Sequence, residues 1–170
     1  AANCGFIAKW SEHFSSRFAG IPLKPVTITH NEVSHQGEIM ITSQGIEGGA
    51  VYALSSSIRE SIIANGDTTI ELDLRPSMSV KFLTQKLQNR GDQSFSNYLR
   101  KAGLSPLAIN LLRETMSAEQ LAALTPETLA TRLKNLPLTL TSTTDIARAI
   151  STAGGITQNA VDENFMLHKK

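Results

Sequence analysis

Thr69–Arg75 reads TIELDLR. Ile70, Leu72 and Leu74 alternate with Thr69, Glu71, Asp73 and Arg75, so apolar side chains fall on one face of an extended chain and polar ones on the other. Period-2 alternation predicts a strand with one face on a core and the other in water, the pattern of antiparallel sheets. The same rhythm recurs on both sides. Upstream, Val26 and Ile28 alternate with Thr27 and Thr29, and Ile39 and Ile41 stand in GEIMIT. Downstream, Leu136, Leu138 and Leu140 alternate with Pro137, Thr139 and Thr141. A fifth short strand is expected around Arg148 to Thr152. The first two strands are close enough to form a hairpin, joined near Asn31 to Gly37. The others are too far apart in sequence to follow one another as hairpins.

Helices fill the gaps. In GAVYALSSSIRESIIANG, Val51, Leu54, Ile58 and Ile62 form one apolar stripe, and Asn65-Gly66 is expected to end it. From Ser77 to Leu136 the chain is helical in character. Ser105-Pro106 and Thr125-Pro126 each offer an N-cap followed by proline at the first helical position, and Ser117-Ala-Glu-Gln120 fits a capping box. Short helices are predicted at 78–89, 95–102, 106–115, 118–123 and 126–135. The first 21 residues hold Trp10 and three of the six phenylalanines. Such a segment either packs onto another body or covers the chain's own core. The pattern as a whole predicts an α+β fold: a small, mostly antiparallel sheet or barrel, with a helical subdomain inserted at 77–135. No internal repeat or low-complexity tract is visible.

Composition sets outer limits. The chain has 170 residues, enough to bury a core without covalent staples, and 41% of them are hydrophobic. Sixteen Lys and Arg face fifteen Asp and Glu, a near-balance that argues against a dedicated nucleic-acid binder. The single cysteine, Cys4, excludes an internal disulfide framework and a Cys-rich zinc site. No apolar run approaches the roughly 20 residues of a membrane-spanning helix, and no signal-peptide pattern opens the sequence. A soluble, cytoplasmic protein is expected.

Few residues speak for chemistry. His30 and His35 stand five apart across the expected hairpin turn, and without a cluster of converging ligands they read as surface turn histidines; no metal site is expected. Cys4 lacks a placed base and reads as a small apolar residue. Residues 75–101 carry Arg75, Lys81, Lys86, Arg90, Arg100 and Lys101 against Asp92 alone. Such a patch could meet phosphates, but Phe82, Phe95 and Tyr98 have core-type spacing and a solvated helix face is preferred. Two glycine clusters remain: Gln44-Gly45-Ile46-Glu47-Gly48-Gly49, between a strand and a helix, and Thr152-Ala153-Gly154-Gly155-Ile156. Glycines there let a backbone approach a ligand closely, or simply form tight turns. Neither cluster has the spacing of a dinucleotide fingerprint or a P-loop.

Taken together, Asn3-Cys4-Gly5-Phe6, Trp10-Ser11, Phe18-Ala19-Gly20, Pro22-Leu23-Lys24, GIEGGAVYALSS (Gly45 to Ser56) and AISTAGGI (Ala149 to Ile156) with Asn164-Phe165-Met166-Leu167 occur in an order that resembles the YhiN/BaiN-like flavoproteins. Members are often labelled NAD(FAD)-utilising dehydrogenases or aminoacetone-oxidase-like proteins. The chain looks most like the branch with a Gly-Gly pair. The resemblance is strongest in the first 60 and last 25 residues.

It implies that the chain is the domain inserted into an FAD-binding Rossmann domain, which is absent here, and that the insert combines a distorted β-barrel with a helical part. On that reading, 1–21 is a lead-in from the FAD-binding domain, 22–76 and 136–156 form the β-rich part, 77–135 the helical subdomain, and 157–170 the return linker. The resemblance further implies a substrate-covering role over the flavin, with Gln44, Gly45, Gly48, Gly49, Thr152, Gly154 and Gly155 facing flavin or substrate in the full-length protein. The expected partners are the parent FAD-binding domain and a small-molecule substrate, with no membrane. FAD belongs to the parent, the isolated chain is expected to be inactive and to hold none tightly, and no catalytic residue is assigned. The alternative is an independent binding or oligomerisation module, contacting nucleic acid through 75–101.

Overall fold

The computed structural model describes residues 3–152 and 154–168, and for Gln158 the backbone alone. Ala153, inside the second glycine cluster, lies outside the described residues, as do residues 1–2 of the expected lead-in and 169–170 of the expected return linker.

In chain order the elements are β1 (Phe6–Ile7), α1 (Glu12–Phe18), β2 (Pro22–His30), β3 (Val33–Ile41), β4 (Gly45–Glu47), α2 (Gly49–Ala53), α3 (Ser55–Asn65) and β5 (Thr68–Asp73). Then follow α4 (Val80–Lys86), α5 (Phe95–Lys101), α6 (Pro106–Glu114), α7 (Ala118–Ala122), α8 (Pro126–Lys134), β6 (Leu136–Leu140) and β7 (Ser142–Thr143), with short 3-10 turns at Ile146–Arg148 and Gln158–Ala160. All strand pairs are antiparallel, in the order β6-β5-β2-β3-β4-β1-β7. The fold is α+β, as the alternation and caps predict.

The two outer strands of that order are joined by a single residue, Thr141, whose N–H donates to the Ile7 carbonyl at 3.0 Å. Consecutive Cα atoms are only about 3.8 Å apart, so the two edges must meet there. The sheet therefore curls into a barrel-like wall whose outer strands run into each other end to end. Inside lie Phe6, Val26, Ile28, Ile39, Ile41, Ile46, Ile70, Leu72, Leu136 and Leu140, all fully buried. They are the inward half of each alternation.

The β2–β3 turn is tighter than the sequence suggests. His30 pairs with Val33, leaving Asn31 and Glu32 as a two-residue loop with φ of 47° and 67°. Left-handed backbone at both positions matches strand twist. His30 is a correction: it is not a surface turn residue but 2% exposed, with Nδ1 2.9 Å from Ser57 Oγ and Nε2 3.0 Å from Thr68 Oγ1. Ser57 gives its own proton to the Leu54 carbonyl, so its oxygen accepts from Nδ1–H and Thr68 donates to Nε2. Burial holds the imidazole below its ordinary pKa.

The stripe at 51–62 is broken at Leu54 into α2 and α3, and α3 ends at Gly66 as expected. The strand expected around Arg148 to Thr152 is replaced by the 3-10 turn at Ile146–Arg148 and one isolated bridge, Ser151 to Asn3. Three-residue turns and one-residue bridges carry no period, so sequence rhythm cannot find them.

Between β5 and β6 hang the five helices α4 to α8. Each starts with a hydroxyl side chain accepting an N–H from its own first turn: Ser79, Ser94, Ser105, Ser117 and Thr125. Their inner faces, including Leu83, Leu87, Leu99, Leu112 and Leu133, join the barrel in one continuous core. A polar staple reinforces the joint. Lys134 Nζ, at the end of α8, lies 2.5 Å from Asp73 Oδ2 and donates to the carbonyls of Arg75 at 3.0 Å and Met78 at 2.8 Å. Phe82 departs from the core-type spacing read at the sequence level: it is 47% exposed, with Lys86 over its ring.

The aromatic first segment covers the chain's own core. Phe14 and Phe18 are buried, the rings of Trp10, Phe14 and Phe18 stack in succession at 4.8 and 5.1 Å, and Glu114 of α6 accepts from Ser11 N at 2.8 Å and Ser11 Oγ at 2.7 Å.

Candidate functional site

The first glycine cluster is divided along β4. Gln44 and Gly45 lie beside the end of β1: Ala8 N–H donates to the Gln44 carbonyl at 2.9 Å, and Gly45 pairs with Ile7. A Cβ at Gly45 would lie 1.9 Å from the Phe6 carbonyl oxygen, so β1 itself demands glycine there. Trp10 Nε1 donates to the Gly45 carbonyl at 3.2 Å, and Thr42 Oγ1 accepts from its N–H at 2.9 Å.

Gly48 and Gly49 lie roughly 10 Å further along, at strand rise. Gly48 has φ of 111° and starts α2 without a side-chain cap. Gly49 has no atom within 4 Å of where a side chain would begin.

The second cluster follows a segment tied to the residues just before β1 and to the Glu47 end of β4. Asn3 N–H donates to the Ser151 carbonyl at 2.9 Å and Ile150 N–H to the Asn3 carbonyl at 3.0 Å, so Thr152 follows directly from a bridge to the chain's first described residue. Gly5, two residues on, packs against Ile46 and Glu47; a Cβ there would lie 2.8 Å from the Ile46 carbonyl oxygen. Gly154 and Gly155 are exposed, with nothing within 4 Å of a would-be side chain. The Asn3–Ser151 bridge and the Arg148–Glu47 pair thus tie the segment leading into the second cluster to the residues just before β1 and to the Glu47 end of β4.

Polar residues at this end were not singled out from sequence. Arg148 pairs with Glu47 across 3.3 Å, tying the segment before the second cluster to the strand before the first. Tyr52 lies in the fields of Glu47 and Arg148; burial and then Glu47 push its phenol up, while the Gly48 N–H bond works against them. The available signal was position: Tyr52 follows Gly48 by four residues, one helical turn. Cys4 is buried, and burial raises its thiol pKa despite Arg59 nearby, so it is a thiol near neutral pH and a poor nucleophile.

Among the described residues no three His, Cys, Asp or Glu side chains are placed to hold a metal, and no helix is long and apolar enough to cross a membrane. Two cavities are lined by none of the predicted site residues, although Trp10, which donates to Gly45, borders the first. One, about 430 Å³, is lined by Lys9, Trp10, Asp67, Glu114 and the threonine-rich outer face of β5 and β6. The other, about 240 Å³, lies where the barrel meets the first turn of α6.

Six large apolar side chains between 146 and 167 are exposed: Ile146, Ile150, Ile156, Phe165, Met166 and Leu167, with Phe165 at 87%. Isolated exposed apolar residues are ordinary; six within one segment are a local concentration.

Residues 1–151 match the family model described as the HI0933-like protein barrel and H2TH domain. The match spans both the barrel-like sheet and the helices between β5 and β6.

Proposed function

The chain belongs to the HI0933-like barrel and H2TH family, whose context is that of flavoproteins and oxidoreductases, and on that premise we propose that it is the insert domain of an FAD-dependent oxidoreductase. Its role is to cover the reactive face of the flavin and to shape the pocket for a small-molecule substrate. The observation that carries this reading is the Asn3–Ser151 bridge, which sets the two ends of the barrel segment side by side. A domain inserted into another needs this, because both ends rejoin one parent. The Arg148–Glu47 pair likewise ties the strand before Gly48 to the segment before Thr152, which supports the reading. The exposed apolar run from Ile146 to Leu167 is the surface that would lie against the FAD-binding domain.

Glycines of both clusters fit a flat, closely approaching ring. Gly49, Gly154 and Gly155 offer backbone with open space in front of it. Gly45, filled from behind by β1, has an internal reason to be glycine and would act by holding β4 in place. FAD, when bound by the parent, supplies the electron-transfer chemistry. This chain contributes shape, exclusion of water and backbone N–H donors. The parent works in the cytoplasm on this reading, and the 170-residue chain alone is inactive.

The test uses Gly49→Val and Gly155→Val in the full-length flavoprotein, because both positions have room for a side chain, with circular dichroism to check that each variant is folded. The expected result is loss of flavin retention during purification, read from visible absorbance, or loss of turnover. Wild-type values in both assays for both variants would overturn the reading. Titration of the 170-residue chain with FAD is expected to show no micromolar binding.

A further inference from the structure

The cavity at the junction of barrel and helices has one sign of charge. Its lining includes Lys24 from β2, Arg75 and Ser77 from the segment after β5, and Gly103, Ser105 and Ala108 around the start of α6. No carboxylate is in the lining. The cavity beside Trp10 differs, since its lining sets two carboxylates, Asp67 and Glu114, against the single cation Lys9 and does not favour an anion.

Arg75 is held in place rather than free to swing. Its backbone carbonyl accepts from Lys134 Nζ at 3.0 Å, and its N–H donates to Asp73 Oδ1 at 2.8 Å. Its guanidinium donates from Nη1 to the Gly103 carbonyl, and Nη2 lies 3.5 Å from Met78 Sδ. Gly103 makes the fit possible. With φ of 88° it takes a backbone shape that favours glycine, and a Cβ there would lie 2.9 Å from Nη1. After these contacts one polar atom is left over: Arg75 Nε is buried with no hydrogen-bond partner. A buried donor without a partner is uncommon in native proteins, and this one, closed to solvent, faces packed protein and not the cavity. Lys24 is mostly exposed, and its one ion pair, with Glu38 at 3.7 Å, is a weak surface contact. The first turn of α6 adds the positive end of a helix dipole to the fixed guanidinium and the exposed Lys24.

We propose that this cavity between β2, the Arg75 segment and the start of α6 binds a phosphoryl group, as inorganic phosphate or as a phosphate monoester. Nη1 and Nη2 each keep a second N–H beyond the Gly103 and Met78 contacts, and a planar guanidinium suits an oxyanion with several acceptor oxygens. Two cations and two serine hydroxyls around about 240 Å³ match a small dianion carrying a short substituent. Its occupant would join barrel to helices at a second point, beside the Lys134 staple. The proposal does not rest on the flavoprotein reading.

The experiment titrates inorganic phosphate into the 170-residue chain at neutral pH, with chloride holding ionic strength constant. Phosphorus NMR line broadening and Tm are followed for the wild type, Lys24→Gln and Arg75→Gln. Wild type is expected to saturate. Affinity is expected to fall about threefold in Lys24→Gln and about tenfold or more in Arg75→Gln. If Arg75→Gln does not fold, Lys24→Gln alone decides. Glycerol phosphate binding as well as inorganic phosphate identifies an esterified ligand, and binding of inorganic phosphate alone identifies the free anion; both support the site. A response that chloride reproduces, or equal affinity in wild type and the folded variants, overturns it.

Discussion

Replacing Lys134 with methionine tests the joint between barrel and helices. Methionine keeps an unbranched stem of similar length, so packing along α8 is largely preserved and the change is one of charge. Three contacts vanish together: the 2.5 Å pair with Asp73 and the donations to the carbonyls of Arg75 and Met78. Asp73 keeps the Arg75 N–H but loses its cation. Removing one partner of a fully buried pair costs about 3–5 kcal/mol. Here the two side chains retain 16% and 18% exposure, so water reaches them in part. Discounting for that leaves about 2–3 kcal/mol. For a chain of this length the loss corresponds to a fall in Tm of roughly 5–10 °C. Calorimetry measures it, and the double variant with Asp73→Asn, which removes the stranded carboxylate charge, is expected to recover about 1–2 kcal/mol. A Tm within about 2 °C of wild type for Lys134→Met, or no recovery in the double variant, would refute the staple.

Two further outcomes follow from local geometry. His30 is held below its usual pKa by burial, so the unfolded chain takes up its proton first; the stability this residue contributes is present above the unfolded value of about 6.5 and is lost as pH falls from there through the lower folded value. Urea midpoints across that range are expected to drop in wild type and to flatten in His30→Gln, and identical slopes would remove His30 from the account. Gly45→Ala puts a Cβ on the Phe6 carbonyl and is expected to cost about 3 kcal/mol, whereas Gly49→Ala, in open space at the start of α2, is expected to be neutral or to stabilise by up to about 1 kcal/mol; equal effects in chemical denaturation would contradict the distinction between the two glycines.

How much of this was legible in the sequence depends on the length of each signal. The alternation around Ile70 and Leu72 exposed the sheet because a pleat forces every second side chain the same way. The hydroxyls at 105, 117 and 125 exposed helix starts because the bond they make reaches only three residues. The two-residue β1 and three-residue β4 carry no period and could not be read. Neither could curling of the sheet through Thr141, since it depends on pairing with Ile7, far away in sequence. His30 was misread for a related reason. Its place beside a turn suggested water, while Ser57 and Thr68, which bury it, come from 27 and 38 residues away. The glycine clusters were visible as clusters, but only the structure separates Gly45, required by a neighbouring strand, from Gly49, which nothing crowds.

The pairing of Leu72 with Leu136, together with the Leu74 N–H donating to the Leu133 carbonyl at 2.9 Å, means that five helices leave the sheet and rejoin it through one narrow neck. Asn3 and Ser151 form a second neck for everything between them. The chain is therefore nested, a loop of helices carried on a loop of strands. Closing a loop whose ends are already held together costs little more as the loop grows. Changes of length inside 75–135 therefore cost little in loop closure, whereas removing the helices outright would open the core that they share with the barrel.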